Sequence, residues 1–225
     1  HRKGLKQNMK MLFVLPAVLP LIAVDAGSSV MSIPFIGTIE WGLIYPLVLL
    51  PVGLLFVSNV VNMLAGTNGL SAGMSMIASF YLGVFAWING EIIATVIAWS
   101  LTASLLAFMY YNFYPASVLP GDSLTYLCGA AMFSAMVIGN MEKFGVFLFI
   151  PWITEFFLKL RSGFKAHSWG ILNKDGSLSP QHERTYSLTH PLMRKGLNEN
   201  QITLTVVAVE IVIGAIGLLL FTTIL

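Results

Sequence analysis

The chain contains 225 residues, of which 56% are hydrophobic and only 10% are charged, and its formal net charge is +2. A soluble domain has about 25% charged residues, so this composition excludes an ordinary soluble protein of one or two domains. The single cysteine, Cys128, excludes an internal disulfide framework. The small net charge gives no reason to expect a nucleic-acid partner.

Seven apolar stretches are long enough, or nearly long enough, to cross a bilayer, which takes about 20 residues. They cover residues 9–24, 41–61, 70–88, 92–111, 124–139, 144–160 and 202–225. The first contains Pro16 and Pro20, and we expect a kinked or partly buried helix there. The sequence therefore predicts an all-α polytopic membrane protein, formed by a single domain over residues 1–225, with about seven transmembrane helices.

Two connecting segments stand out between these stretches. Near residues 29–41, Pro34 and Gly37 interrupt a run rich in β-branched residues, which predicts a short β-hairpin outside the cytoplasm. Near residues 161–200, a long polar segment predicts a cytoplasmic loop. We expect this loop to cover a bound substrate.

The basic residues lie on one side of the predicted topology. Seven crossings place the N-terminal residues, the turn near 65–68, the loop near 112–122 and the long loop on the same side. That side receives eleven of the twelve basic residues, all except Lys143: Arg2, Lys3, Lys6, Lys10, Lys159, Arg161, Lys165, Lys174, Arg184, Arg194 and Lys195. Positive residues concentrate in cytoplasmic loops, so we expect this side to be cytoplasmic. The membrane would be the cell membrane in a prokaryote or the endoplasmic reticulum membrane in a eukaryote.

In chain order, the first polar residues of interest are a lysine and a cluster of asparagines. Lys10 begins the first apolar stretch, where a lysine can simply extend its ammonium group to the membrane surface. Asn59 and Asn62 share a helix face at the end of the second stretch, and Asn68 follows in a turn. Amides at membrane depth either bond neighbouring helices or face a polar cleft. Gly66 would let a ligand approach the backbone of this turn.

Asp122 begins a later apolar stretch directly after a Pro-Gly pair. Its carboxylate can cap the helix by accepting hydrogen bonds from backbone N–H groups, or bind a metal, or do both. Together with Asn62 it offers the hard oxygen ligands that suit Mg²⁺ when substrate phosphates complete the coordination shell. Glu155 and Glu210 are the other acids of interest within predicted spans. We expect each to be partnered within the bundle and assign neither a catalytic role.

The long loop contains cationic and histidine side chains that suit a di- or triphosphate group and equally suit anionic lipid headgroups. They are Lys165, His167, Arg184, His190, Arg194 and Lys195. His182 and His190 lack zinc-ligand spacing with other donors, and we expect no zinc site.

These clusters resemble, in order along the chain, the motifs of the polyprenyl-phosphate N-acetylhexosamine-1-phosphate transferases. Residues 59–70 resemble the segment Asn-x-x-Asn-x-x-x-Gly-x-Asn-Gly-Leu of that family. Residues 112–116 followed by Gly121-Asp122 resemble its Asn-x-x-Pro…Gly-Asp loop. Residues 64–66 and the Tyr-x-Asn-x-Tyr-Pro pattern at 110–115 are most similar to the dolichyl-phosphate branch of eukaryotes and archaea.

Two further elements extend the resemblance towards both ends of the chain. Gly4-Leu5 with Lys10 is similar to the family's Gly-Leu-x4-Lys element, and His190 with residues 195–201 resembles its last loop. The family's paired aspartates lie just upstream of the Gly-Leu-x4-Lys element. The chain starts at His1 and does not contain them, so we expect an upstream portion of the protein to be missing.

The resemblance implies a function and roles for individual residues. The enzyme would move N-acetylglucosamine 1-phosphate from UDP-N-acetylglucosamine to dolichyl or polyprenyl phosphate and release UMP, the first membrane step of lipid-linked glycan assembly, with N-glycans expected. Asn62 and Asp122 would bind Mg²⁺ (or Mn²⁺), and Lys10 would contact the acceptor phosphate. The implied substrate-binding residues are Asn59, Gly66, Asn68, Asn112, Leu119, His167, Arg184, His190, Arg194 and Lys195. Leu119 occupies a position where the family often has an aromatic residue that stacks on uracil.

Other interpretations stay open from sequence alone. A bacterial-type undecaprenyl-phosphate transferase for cell-wall or surface glycans has the same motifs. A non-catalytic remnant that binds nucleotide differs only in the missing N-terminal portion. A membrane transporter would also have polar residues within its spans, but here they cluster at one face. Besides UDP-sugar, lipid phosphate and membrane lipids, the resemblance implies a second copy of the chain in a homodimer.

Overall fold

A computed structural model describes residues 7–33 and 37–223. The elements in chain order are α1 (Gln7–Leu12), a 3-10 turn (Leu15–Val18), α2 (Leu19–Ala23), β1 (Val30–Ile33), β2 (Gly37–Glu40), a π-helical turn (Tyr45–Leu49) that leads into α3 (Leu50–Met63), α4 (Leu70–Ile88), α5 (Ile92–Asn112), α6 (Gly121–Ile138), α7 (Glu142–Leu148), α8 (Ile150–Leu160), β3 (Gly170–Leu172), β4 (Leu178–Pro180), α9 (Thr189–Arg194) and α10 (Glu199–Thr223). The protein is therefore mainly helical with two small sheets.

Five helices among the described residues are long and apolar enough to cross a membrane. They cover Tyr45–Met63, Leu70–Ile88, Ile92–Asn112, Gly121–Ile138 and Glu199–Thr223. Each coincides with one of the seven predicted stretches, and the prediction of a polytopic helical membrane protein is confirmed. Many of their apolar side chains are exposed on the surface of the bundle, where a membrane protein contacts lipid and not water.

The other two predicted spans are each broken into shorter segments. The first becomes α1, the 3-10 turn and α2, because Pro16 and Pro20 have no N–H to continue a regular helix. The sixth becomes α7 and α8, which meet at Phe149 just before Pro151. The prolines in these stretches thus mark where the regular helices end.

The predicted hairpin near residues 29–41 is present as an antiparallel pair of strands. Strand β1 pairs with β2 so that Val30 lies opposite Glu40 and Ser32 opposite Thr38. Residues 34–36, where the two strands connect, lie outside the described part of the chain.

Small residues let the membrane helices approach closely. A Cβ atom added at Gly129 of α6 would lie only 2.4 Å from the Cα atom of Ser58 on α3. Helix association in membranes depends on such close backbone contacts. This contact fixes α3 beside α6, which places the C-terminal end of α3 next to the N-terminal end of α6.

The segment between α8 and α10 has a structure of its own, which the sequence analysis described only as a loop. Strands β3 and β4 form an antiparallel hairpin, and Ser177 pairs with Asn198 just before α10. Leu178, Met193 and Ile202 form a small core beneath the hairpin. The segment is therefore folded against the start of the last helix.

Candidate active site

Lys10, Asp122 and Asn62 come together at one end of the helix bundle although they are far apart in sequence. The Lys10 Nζ atom forms an ion pair with Asp122 Oδ2 at 2.5 Å. The Thr125 hydroxyl, one turn after Asp122 on α6, donates to Asn62 Oδ1 at 2.7 Å and lies 3.0 Å from the Asp122 carbonyl oxygen. The sequence analysis placed these three residues on one side of the membrane, and the contacts place them in one cluster.

The backbone at the start of α6 explains how Asp122 reaches this cluster. Gly121 has φ +59°, a left-handed conformation that glycine adopts without strain, and it directs the chain into the helix. Among the described residues, Asp122 receives its side-chain hydrogen bond from Lys10 and none from a backbone N–H. The carboxylate therefore faces the cluster, and the capping interpretation receives no support.

Two grooves border the cluster of Lys10, Asp122 and Asn62. One, with a volume of about 670 Å³, is lined by Lys10, Phe13, Asp122 and Tyr126 among others. The second, of about 610 Å³, lies between α3 and α8 and combines polar groups with aromatic rings: Leu55, Phe56, Asn59, Val60, Asn62, Met63, Phe156, Lys159, Gly163, Phe164 and Ala166. Tyr126 lies between them, and its hydroxyl is 3.4 Å from Asn59 Oδ1. Both grooves therefore combine polar and apolar side chains.

The turn that follows α3 is fixed by the last helix. The backbone N–H of Asn68 donates to Glu199 at 2.7 Å, and its carbonyl oxygen accepts from Thr203 at 2.9 Å. At Gly66 a Cβ atom would lie 2.7 Å from the backbone of Ser168, so the close approach that glycine permits here is made by the chain itself. Both backbone groups of Asn68 are therefore bonded to α10.

The loop between α5 and α6 separates two predicted binding residues from the cluster. Asn112 is buried, and its amide nitrogen donates to the carbonyl oxygen of Val118 at 2.8 Å, which stabilises the loop. Its Oδ1 atom has no hydrogen-bond partner among the described residues. Leu119 is exposed and lines an apolar groove between α5 and α6, not the grooves that contain Lys10 or Asn62.

The predicted residues of the last loop fall into two groups. His167, Arg184 and Lys195 are exposed, and the ring of His167 stacks on Trp169 with centroids 4.1 Å apart. Arg194 is exposed but donates to Thr185 and to the carbonyl oxygen of Glu183, so that it fixes the preceding loop.

His190 differs from these exposed residues because it is fully buried. Its Nε2 atom is 2.9 Å from the carbonyl oxygen of His167, and its Nδ1 atom accepts from the N–H of Tyr186 at 3.3 Å. Burial lowers the pKa of His190 below its ordinary value, which keeps the ring neutral near pH 7. In this arrangement both ring nitrogens stabilise the loop.

Several residues of the site were missed by the sequence analysis. Thr125 and Tyr126 lie in an apolar stretch in which only Asp122 was considered as a site residue. Both are one helical turn after Asp122, and this spacing is the signal that could have identified them. Glu155 was expected to be partnered, and it is, by Lys159, Ser168 and Ser187. Glu210 was also expected to be partnered, but its carboxylate has no hydrogen-bond partner in the described residues.

The two predicted metal ligands supply oxygen atoms only. The Thr125 hydroxyl contacts Asn62 Oδ1 and the backbone carbonyl oxygen of Asp122, which holds the two residues in the same part of the bundle. One amide and one carboxylate oxygen suit Mg²⁺ when phosphates and water fill the other positions. No group of three His, Cys, Asp or Glu side chains that could hold a metal occurs in residues 7–33 and 37–223. The donor set therefore fits a metal that binds together with a phosphorylated substrate.

The chain matches known proteins over most of its length. The sequence profile of glycosyl transferase family 4 matches residues 2–140. A protein of Saccharolobus solfataricus, provisionally named UDP-N-acetylglucosamine–dolichyl-phosphate N-acetylglucosaminephosphotransferase, is 36% identical over 98% of the chain and 69% of the relative. A protein of Sulfolobus acidocaldarius with the same name is 34% identical over 97% of the chain and 67% of the relative. A provisionally named undecaprenyl-phosphate N-acetylglucosaminyl 1-phosphate transferase of Bacillus subtilis is 25% identical over 90% of the chain and 56% of the relative.

Proposed function

Because the chain belongs to glycosyl transferase family 4, we propose that it transfers N-acetylglucosamine 1-phosphate from UDP-N-acetylglucosamine to dolichyl phosphate or a related polyprenyl phosphate. The product would be a lipid-linked diphospho-sugar, and UMP would be released. This reaction would be the first membrane step in assembling a lipid-linked glycan.

The observation that carries this proposal is the convergence of Lys10, Asp122 and Asn62 beside two grooves. A cation and two oxygen ligands at one end of a membrane bundle suit a reaction between a soluble diphosphate and a phosphate at the membrane surface. Phosphoryl transfer depends mainly on positioning and on neutralising negative charge. The groove that contains Lys10 also has the apolar side chains Phe13 and Val14, which suits a lipid substrate with a charged head.

In the proposed reaction, Asn62 and Asp122 would hold Mg²⁺, with Mn²⁺ as an alternative ion. The bound metal would neutralise the diphosphate of the UDP-sugar and favour departure of UMP. The hydrogen bond from Thr125, one helical turn after Asp122, fixes the orientation of the Asn62 amide. Tyr126 and Asn59 would line the approach to this position.

Lys10 would bind the phosphate of the lipid acceptor. An acceptor oxygen attacks the β-phosphorus of the UDP-sugar, the bond between that phosphorus and the bridging oxygen breaks, and the bridging oxygen leaves as part of UMP. Lys10 lies in the groove beside Asp122, and the acceptor phosphate would compete with Asp122 for its ammonium group. This exchange would place the acceptor next to the metal ligands.

The remaining predicted residues would contact the nucleotide and the sugar diphosphate. Asn68 would contact uracil beside the backbone of Gly66, with Asn112 in the adjoining loop. Leu119 lines a separate groove between α5 and α6 and is not assigned a contact with uracil. The exposed His167, Arg184 and Lys195 would interact with the diphosphate and the sugar. His190 and Arg194 would act on the substrate through the loop that they stabilise. Residues 161–200 would thus cover the bound substrate.

We place this end of the bundle in the cytoplasm, where UDP-sugars are made. Four segments are joined by contacts there: Lys10 binds Asp122, Asn68 binds Glu199, and Gly69 packs near Phe113. The same segments contain eleven of the twelve basic residues, and positive residues favour the cytoplasmic side. The archaeal relatives at 36% and 34% identity favour a dolichyl-type acceptor over the undecaprenyl acceptor in the name of the Bacillus relative at 25%.

The test is UMP release by the complete protein encoded by this reading frame, purified in detergent. It receives UDP-N-acetylglucosamine and dolichyl phosphate, with and without Mg²⁺, beside the variants Asn62→Ala and Asp122→Ala. We expect release that requires both the lipid and the metal and that both variants lose. A folded protein that releases no UMP with dolichyl or undecaprenyl phosphate would contradict the proposal.

A further inference from the structure

Glu155 is a fully buried acid in α8 that the proposed reaction does not use. Its side chain is 0% exposed, yet both carboxylate oxygens have partners. One oxygen lies 3.1 Å from the hydroxyl of Ser168. The other accepts from the hydroxyl of Ser187 at 3.1 Å and from the N–H of Leu188 at 2.8 Å. A helix residue is thus bonded to two separate points of the following loop.

Lys159 completes this buried cluster one turn further along α8. Its Nζ atom lies 3.7 Å from Glu155 Oε1 and donates to the carbonyl oxygen of Ala166 at 2.8 Å. Buried charges are tolerated when they are paired and also hydrogen-bonded, as both are here. The pair therefore holds the loop at a third point, Ala166.

Ser168, one of the loop residues that Glu155 holds, also contacts the end of α3 and the turn that follows it. The Ser168 hydroxyl that faces Glu155 is also 3.1 Å from the carbonyl oxygen of Met63, the residue after Asn62. The backbone of Ser168 fills the space beside Gly66, and its carbonyl oxygen accepts from Thr189 at 2.6 Å. A continuous set of contacts therefore runs from Glu155 to the residues that flank Asn62.

We propose that Glu155 is a positioning residue for UDP-sugar binding, acting through Ser168 and the segment 166–190. By bonding both ends of this segment, which contains the exposed His167 and Arg184, Glu155 holds Ser168 and its neighbour His167 beside Gly66 in the turn after α3. The inference rests on the proposed function, since it assigns the segment to the UDP-sugar and not to the lipid. Loss of the Glu155 carboxylate would release the segment and weaken binding of the UDP-sugar while leaving the lipid site intact.

The chain provides matched controls for this idea. Glu210 of α10 is also an acid that is 0% exposed, but its carboxylate has no hydrogen-bond partner among the described residues. Glu210→Gln therefore reports the effect of removing a buried carboxylate without releasing the loop. Ser75 in α4 is a fully buried serine outside the loop, so Ser75→Ala is the control for Ser168→Ala.

The experiment compares Glu155→Gln and Ser168→Ala with these controls in the complete protein in lipid nanodiscs. Trypsin cleavage after Lys174 and Arg184, both exposed, reports how firmly the segment is held. Equilibrium binding of UDP-N-acetylglucosamine and the KM for each substrate report the consequence. We expect Glu155→Gln to speed cleavage about tenfold and to weaken UDP-N-acetylglucosamine binding about tenfold, because hydrogen bonds to a charged group are lost. The KM for dolichyl phosphate should change less than about twofold.

Ser168→Ala removes one link without leaving a buried charge unpaired, so it tests the inference even if Glu155→Gln does not fold. It should show the same pattern with a smaller effect, and both controls should match the parent protein. Unchanged cleavage, or faster cleavage with unchanged UDP-N-acetylglucosamine binding, would overturn the inference. A parent protein that binds UDP-N-acetylglucosamine but releases no UMP would instead contradict the proposed function, and the binding and cleavage results would still decide the role of Glu155.

Discussion

Thr125 joins the two sides of the candidate metal site. Its hydroxyl donates to Asn62 Oδ1, and it stands one helical turn after Asp122. Residues that orient a metal ligand are often as important as the ligand itself, because a freely rotating amide presents its oxygen only part of the time. This hydroxyl therefore links α3 to α6 next to the two proposed metal ligands, Asn62 on α3 and Asp122 on α6.

We predict that Thr125→Val, which keeps the shape but removes the hydroxyl, weakens metal activation about tenfold or more. The reason is that the amide of Asn62 loses its donor and can turn away from Asp122. The measurement is UMP release as a function of Mg²⁺ concentration. Thr125→Ser keeps the hydroxyl and is expected to match the parent, and a Thr125→Val curve that coincides with the parent would contradict the role of Thr125.

His190 gives a pH dependence at the residue scale. Its folded-state pKa lies below the unfolded value, so the unfolded chain binds the proton more readily than the folded one. Stability from His190 is therefore fully present above the unfolded pKa of about 6.5 and is lost as the pH falls from there through the folded pKa. His182, whose ring centroid is 6.1 Å away, also faces this site.

We expect the thermal unfolding midpoint of the parent protein to fall between pH 7.5 and pH 5.5 by more than that of His190→Gln. The glutamine can replace part of the hydrogen bonding but does not titrate. Differential scanning fluorimetry at a series of pH values in one detergent measures both midpoints. Equal pH dependence in the two proteins would show that His190 is not the group responsible.

At the scale of elements, the contact between α3 and α6 determines whether the site exists. Gly129 allows the backbone of α6 to lie directly against Ser58 of α3. Asn62 is one turn beyond Ser58, so a change in this spacing moves Asn62 relative to Asp122. We therefore expect Gly129 to affect activity although it lies away from the reacting groups.

We predict that Gly129→Ala pushes the two helices apart, costs about 1–3 kcal/mol of stability and lowers the rate of UMP release. Thermal unfolding in detergent and the activity assay measure the two effects. Leu127→Ala on the exposed side of α6 is the control and should leave the rate unchanged. Parent-like stability and rate in Gly129→Ala would contradict the close packing described here.

The sequence predicted some elements well and others poorly, for identifiable reasons. Five long apolar stretches became the five long helices, because a helix in lipid must satisfy its backbone internally and hydropathy alone reveals it. The first and sixth stretches became broken segments, and the exact positions of the breaks depend on packing. The hairpin β3–β4 and helix α9 were missed, since their core of Leu178, Met193 and Ile202 is too small to produce a clear periodic pattern.

The candidate site shows the same division. The positions of Lys10, Asn62 and Asp122 relative to the predicted membrane spans were sufficient to predict that the three residues share one end of the molecule. Their partner Thr125 and the buried pair of Glu155 and Lys159 depend on contacts between distant segments, which a single sequence does not display. Gly4 and Leu5, the first two residues of the Gly-Leu-x4-Lys element, lie outside the described residues, and their relation to Lys10 stays a prediction.

At the scale of the whole molecule, one end of the bundle gathers the polar and basic residues while the other carries the β1–β2 hairpin. Glycosyl-phosphate transfer from a water-soluble donor to a membrane lipid needs such an asymmetric arrangement. The single cysteine, Cys128, is buried, so exposed positions can be labelled one at a time. The orientation of the protein can therefore be tested directly.

We predict that an impermeant maleimide reaches Arg184→Cys only from the cytoplasmic side and Asn89→Cys only from the opposite side. Both positions are exposed, and Asn89 lies in the turn between α4 and α5. Labelling of inside-out and right-side-out vesicles, with Cys128→Ala as the background, gives the answer. The reverse pattern would contradict the cytoplasmic placement of the site.

The measurement that tests the central claim most directly follows the β-phosphate of the donor. The complete protein is incubated with dolichyl phosphate, Mg²⁺ and UDP-N-acetylglucosamine that carries ³²P in its β-phosphate. If the protein transfers the sugar phosphate, the label appears in the lipid fraction together with the sugar, and the released nucleotide is unlabelled UMP. If the label stays in the water-soluble nucleotide as UDP while the sugar enters the lipid, only the sugar moves, and the proposed phosphotransfer at Lys10, Asn62 and Asp122 is wrong.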